Sequence, residues 1–420
     1  MTIPIGSIPT SKNLIETLSK TSQRVARFVA MQESDAELAN MRFAQDIAVN
    51  WVPKVPFSRS PADLTDMSVQ EFGENIAVYF GPKLLGEKLF RKLYAKKLDP
   101  NLKKMVSTSA EDLLNKHAKS EDMKQIMPIK AAIAVSTLAI PIFIYALSYI
   151  KNLFTMKIFN QANFNNIANL NKDKKESSEH QQKVKESAQK HIKIAGGLFA
   201  GCLALSALLV TRGKNSKILN SFSETLLAPG NKIFKNNAKK AAGFNKYFSI
   251  DFKDNKGQLG LSRGQLTACV VAGFFGYTGS ANDRGKQNLL EVLYRYPLVG
   301  FYVITGSEMF EKGFKAILHK KDSFKDIIGK DLTVPKLSEL PGLAQKIATR
   351  NGTSIEAEYK NLFKQKSMIV LAPLLFSVGV MGLFVAGMSR FFTQYRYDKE
   401  IESKRQNYFN RAELKGFKLD

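Results

Sequence analysis

The chain has 420 residues, 44% of them hydrophobic, with a mean hydropathy of −0.18 and a formal charge of +25. That length suits two or three units, and such a charge belongs with nucleic acid, anionic lipid or the basic loops of a membrane protein. The basic excess is found in every polar segment, no nucleic-acid motif occurs, and aromatic residues do not alternate with basic ones, so anionic headgroups are the expected partner and nucleic acid is not.

The N-terminus has no basic stretch followed by an apolar one, so no cleavable signal is expected and an internal segment would direct insertion. Residues 11–31 place Leu14, Leu18, Val25, Phe28 and Val29 at helical spacing, which predicts one amphipathic helix. Pro82 predicts the start of a second helix over 82–98. Its Leu85, Leu89, Leu93 and Tyr94 share a face among Lys83, Lys88, Arg91, Lys92, Lys96 and Lys97. These six are candidate anionic-lipid contacts; the alternative is that the apolar stripe packs on the rest of a helical N-terminal domain, residues 1–126.

Residues 131–150 are uncharged and bracketed by Lys130 and Lys151, and as a helix they cover about 30 Å, the thickness of a hydrocarbon core. Pro141 predicts a kink within them. The Asn-rich stretch 160–171 reads as a linker, and the polar run 172–191 as an extension of the next helix. Residues 194–211 form a shorter apolar run whose Gly197 and Gly201 make a GxxxG pattern. That pattern admits a close helix neighbour, expected within the chain, with homo-oligomerisation as the lesser reading. Segment 213–263 is a basic loop, with strand alternation over 246–262 around an Asp254–Gly257 turn.

Residues 264–282 are uncharged but interrupted by Gly273, Gly276 and Gly279, and 296–307 are too short to cross alone. Region 264–320 is therefore expected to hold two tilted spans or a re-entrant hairpin. A polar loop, 321–366, leads to the uncharged run 367–389 between Lys366 and Arg390, with Pro373 at its centre, and then to a charged tail within 390–420. Lysine and arginine counts favour an odd number of crossings, three or five, with the N-terminus cytoplasmic in a plasma or inner membrane. The expected fold is all-α and polytopic: three strong transmembrane helices plus a Gly-rich hairpin.

The chemistry is sparse. Cys202 and Cys269 lie in apolar runs and read as packing residues, and His117, His180, His191 and His319 have no ligand partner at i+3 or i+4, so no metal or other cofactor is expected. Gly279 and Gly285 are wrongly spaced for a P-loop, and Gln287 stands where its hydroxyl should be. No HExxH, GxSxG or Gly-x-Gly-x-x-Gly pattern occurs, so catalysis is not expected. One polar group interrupts the apolar regions: Asp283, Arg284, Lys286, Glu291, Arg295 and Glu308. Glu291 and Arg295 are spaced to pair. At membrane depth such charges mark a carrier or channel site. The leading expectation is instead an interfacial turn, Asp283–Tyr296, with Asp283 capping a short helix and Pro297 starting the return segment. The leading function class is thus a structural or organising membrane protein, ahead of a transporter component and a membrane-embedded enzyme.

Overall fold

The computed structural model describes residues 11–16, 18–33, 38–82, 84–85, 105–106, 108–117, 121–171, 176–251, 253–255 and 258–414. Their regular elements are helices apart from one antiparallel ladder of two three-residue strands. Two compact units result, one from residues 1–45 and 305–380, the other from 46–304 and 381–420. The expected helical domain over 1–126 does not gather as one body, because its first part folds with a much later segment.

In the first unit, the helix expected over 11–31 is two: α1 (Ser11–Glu16) and α2 (Lys20–Glu33). The break comes where the Ser19 hydroxyl accepts the Ser22 amide, as a helix N-terminus invites. Leu14, Leu18 and Val29 are buried with residues from the later segment. α3 (Leu38–Asp46) follows.

The second unit opens on a π turn, Ile47–Trp51, a 3₁₀ stretch, Val52–Phe57, and α4 (Pro61–Pro82). Pro82 is the last described residue of this helix, and of the helix expected over 82–98 only Leu84 and Leu85 are described beyond it, in a π turn. Lys83 and residues 86–104 lie outside the described residues, and with them Lys88, Arg91, Lys92, Lys96 and Lys97. α5 (Ala110–His117) leads to a rod made of α6 (Glu121–Thr137) and α7 (Ala139–Phe159). The rod breaks at Leu138, because Pro141 cannot bond the Thr137 carbonyl one turn back and its ring crowds that oxygen.

The expected linker at 160–171 is a packed turn. Asn160 and Asn169 take left-handed backbone (both φ 53°), and Asn163 caps the one-turn α8 (Phe164–Ile167). The Glu176 carboxylate accepts the Asn163 amide at 3.0 Å and the Asn166 side chain at 2.9 Å. Asparagine tolerates these conformations and supplies cap acceptors, so an Asn-rich run can fold tightly. α9 (Ser178–Arg212) is one 35-residue helix joining the polar run to the apolar one. A Cβ at Gly197 or Gly201 would meet nothing within 4 Å, so the expected packing of these glycines within the chain does not occur among the described residues.

α10 (Lys217–Leu227), α11 (Pro229–Ile233) and α12 (Ala238–Phe248) fold the basic loop into a cap. β1 (Lys253–Asn255) pairs with β2 (Gln258–Gly260), with Asn255 opposite Gln258. α13 (Arg263–Arg284) and α14 (Lys286–Phe301) then form a hairpin. In place of the expected turn Asp283–Tyr296 stands a single glycine, Gly285, whose φ of 122° suits a residue without Cβ. Pro297 lies inside α14. After a π turn, Tyr302–Gly306, α15 (Ser307–His319), α16 (Leu340–Asn351) and α17 (Ile355–Phe376) complete the first unit's core with Leu318, Ile327, Leu340, Tyr359 and Phe363. A π segment, Ser377–Phe384, starting four residues after Pro373, leads to α18 (Val385–Leu414), whose residues from 385 belong to the second unit.

Hydrogen bonds fix the register of the second unit. Gln265 bonds Thr137 at 2.6 Å and Asn152 bonds the Ser280 carbonyl at 3.1 Å, each pair 128 residues apart, so α13 runs parallel to the α6–α7 rod. Gln181 meets Asn160 at 2.9 Å, Tyr145 is hydrogen-bonded to His191, and Ser206 meets Ala132 at 3.1 Å, so α9 runs antiparallel to that rod. Among the described residues three stretches are long and apolar enough to cross a membrane: Glu121–Phe159, Ser178–Asn215 and Ile355–Tyr408.

α13 meets α7 closely at Gly276, where an added Cβ would come within 2.7 Å of the Tyr145 carbonyl oxygen and 3.0 Å of its Cα. Backbone atoms cannot step aside as side chains do. Gly276→Val is expected to destabilise the second unit by about 1–3 kcal/mol, as overpacking does. Gly197→Val should leave the melting temperature in detergent unchanged. Equal melting of the two variants would contradict the α7–α13 contact.

Candidate functional site

The polar residues of α4 recur at helical spacing: Asp63, Asp66, Gln70, Glu71 and Glu74. Such a stripe normally faces water. Here it faces inward, against α7, α13, α14 and α18, where each acid finds a partner. Asp66 bonds Lys151 at 3.1 Å, Arg284 at 2.8 Å and the Thr155 hydroxyl at 2.8 Å. Asp63 bonds Arg390 at 2.7 Å and accepts the Arg59 amide at 3.0 Å. Glu291 bonds Arg390 at 3.1 Å and accepts from Thr393 at 2.8 Å. Glu71 pairs with the buried Lys54. Gln70 donates to Glu74 at 2.8 Å.

Burial alone would raise the Asp66 carboxyl, but Arg284 and Lys151 beside it hold it below its ordinary range. Glu74 is pushed up to about 7, first by burial and then by Glu71 next to it. Among these charges lies a cavity of about 40 Å³, lined by Asp63, Asp66, Lys151, Glu291, Arg295 and Arg390 with other residues. At roughly 10–15 Å³ per water centre it has room for a few waters. Among the described residues no three His, Cys, Asp or Glu side chains are grouped to hold a metal ion.

The residues picked out in the sequence divide. Arg284 is fully buried, and among the described residues its Nε and Nη2 have no hydrogen-bond partner. Glu291 is buried and pairs with Arg390 rather than Arg295, which lines the cavity. Asp283 does not cap α14, whose N-cap is Gly285. Instead it takes the Ser187 hydroxyl at 2.6 Å, and burial raises its carboxyl despite that bond. Lys286 is exposed, and Glu308 belongs to the other unit, paired with Lys312 at 2.6 Å. The residues missed were Lys54, Arg59, Asp63, Asp66, Glu71 and Glu74, which were not singled out in the sequence, and Lys151 and Arg390, which read as the ends of apolar spans.

The register also sets the level of this layer. Lys151 lies between Tyr145 and Asn160 along the rod, so it sits beside the polar part of α9, residues 181–191, and below the apolar run that starts at Ile194. Comparisons with protein-family models, curated proteins and solved structures found no match.

Asp66→Asn leaves Lys151 and Arg284 buried without a charge partner. It is expected to cost about 3–5 kcal/mol, as loss of one partner of a buried ion pair does. Adding Lys151→Met should recover part of that. A loss below about 1 kcal/mol, typical of exposed pairs, would mean the layer is open to water.

Proposed function

We propose that this chain is an integral membrane protein of structural or organising type, anchored through the apolar surfaces of α9 and of the stretch Ile355–Tyr408. The observation that carries this reading is a contrast in burial. The apolar window of the α6–α7 rod is 78% buried within the protein, whereas those of Ser178–Asn215 and Ile355–Tyr408 are each 17% buried. Leu198, Phe199 and Leu208 stand exposed on α9, as do Leu375, Phe384 and Phe391 further on. Continuous apolar surface of this kind marks a protein or membrane contact. The apolar run of α9, about 28 Å long from Ile194 to Arg212, fits a hydrocarbon core. In this reading the rod is the interior of the embedded part, not a lipid-facing span. The open face at Gly197 and Gly201 is available to lipid or to a second copy.

A carrier would use the charge layer. Its carboxylates at Asp63, Asp66, Glu71 and Glu291 are already matched by cations, and the cavity has room for waters rather than cargo. The level of the layer, beside the polar part of α9, further supports a bundle lock near the interface over a transport site at mid-membrane.

The expressed protein is expected to stay in the membrane pellet through high salt and alkaline carbonate, and to be released by detergent. Release by carbonate alone would mean that the exposed faces are covered by soluble partners.

A further inference from the structure

The cap over residues 213–250 carries a surface that the anchor does not use. α10 buries Ser223 and Leu227, the latter in the cluster around Met123, Ile126 and Ala131. Ile218 and Phe222 lie on the opposite face by helical spacing, and Ile218 is 82% exposed. On the neighbouring helices Ile233 and Phe248 are 58% and 55% exposed. These positions are firmly held. The Gly230 amide donates to Asn245 at 2.7 Å, the Ser249 hydroxyl to the Leu227 carbonyl at 2.5 Å, and Phe248 stacks on Phe244, which meets Phe234 edge-on. Large apolar side chains therefore project from a packed support rather than from a loose loop.

Around them the charge is one-sided. Lys214, Lys217, Lys235, Lys239, Lys240 and Lys246 are all exposed, while Glu224 is the single acid between 213 and 250. Among the described residues Lys217, Lys235, Lys239 and Lys240 make no ion pair. The covalent chain sets the depth: the apolar run of α9 ends at Arg212, and α10 begins five residues later at Lys217.

We infer that α10–α12 form an interfacial platform for anionic lipid, with Ile218, Phe222, Ile233 and Phe248 entering the headgroup–acyl boundary and the lysines binding headgroup phosphates. This rests on α9 being embedded as proposed above. The combination is that of an in-plane amphipathic surface: apolar side chains for the boundary, and lysines for a negative leaflet.

The test uses the full chain with Cys202→Ala and Cys269→Ala, in nanodiscs of phosphatidylcholine with or without about one third phosphatidylglycerol. A fluorophore at Ile218→Cys, Ile233→Cys or Phe248→Cys should be blue-shifted and quenched severalfold by lipids carrying a nitroxide near the headgroup. That quenching should be stronger with phosphatidylglycerol, and Lys235→Glu with Lys239→Glu and Lys240→Glu should abolish the difference. A label at Leu208→Cys, on α9, is the reference. Quenching at Leu208 with none at the three platform positions overturns the platform alone. No quenching at either overturns the embedded α9 on which it rests. Platform labels shielded from both lipid nitroxide and aqueous iodide would assign the surface to a protein partner. Quenching indifferent to phosphatidylglycerol would remove the anionic specificity.

Discussion

A charged side chain beside an apolar helix must reach water or bury with an opposite charge, and this protein takes the second course repeatedly. Lys130, at the start of one apolar run, is fully buried and bonds Asp251 at 2.7 Å. Lys151, at its other end, is buried against Asp66. Lys366 bonds Glu33 at 2.6 Å within the first unit, and Arg390 is held between Asp63 and Glu291. Each of these cations flanks an uncharged run and would ordinarily be expected to snorkel toward headgroups. Each instead ties the end of that run to an element distant in sequence. Such pairs add little net stability over an apolar core, but breaking one is costly, so they select one arrangement of helices.

The rest of the second unit follows from supplying those partners. Acids must be carried inward, so α4 turns its polar face to the bundle. Gly276 lets α13 approach α7 closely enough for Arg284 to reach Asp66. With α4, α9 and α13 packed round it, the rod becomes interior, and the apolar surface left over moves to the outside of α9 and to the later stretch. The apolar run most buried by the protein and the apolar runs left on its surface are thus different elements.

Much of this was legible in the sequence. The apolar runs, their brackets and the proline positions locate the long helices, and Arg284 and Glu291 stand out because charge is rare in that region. The partners were not legible, because a polar stripe at helical spacing has the same pattern whether it meets water or buried cations; only the tertiary fold distinguishes them. Asp63, Asp66 and Glu71 were hidden for that reason. The hairpin turn was misread because Asp283, Arg284 and Lys286 resemble a wet loop, whereas Gly285 alone reverses the chain. The Asn-rich stretch misled for a related reason: the residues that favour linkers also cap helices and take left-handed backbone.

By register, the buried charge layer around Lys151 lies below the apolar band of α9, not within it. A spin-label scan along the exposed face of α9 in nanodiscs measures this directly, by comparing accessibility to oxygen with accessibility to an aqueous nickel chelate. Labels at Ile194, Leu198 and Leu208 should favour oxygen, and labels at Gln182, Lys185 and Lys190 should favour the chelate, with the change falling between Lys190 and Ile194. A lipid signature extending through 182–190 would put the charges at membrane depth and contradict the account, as would an aqueous signature along the whole helix.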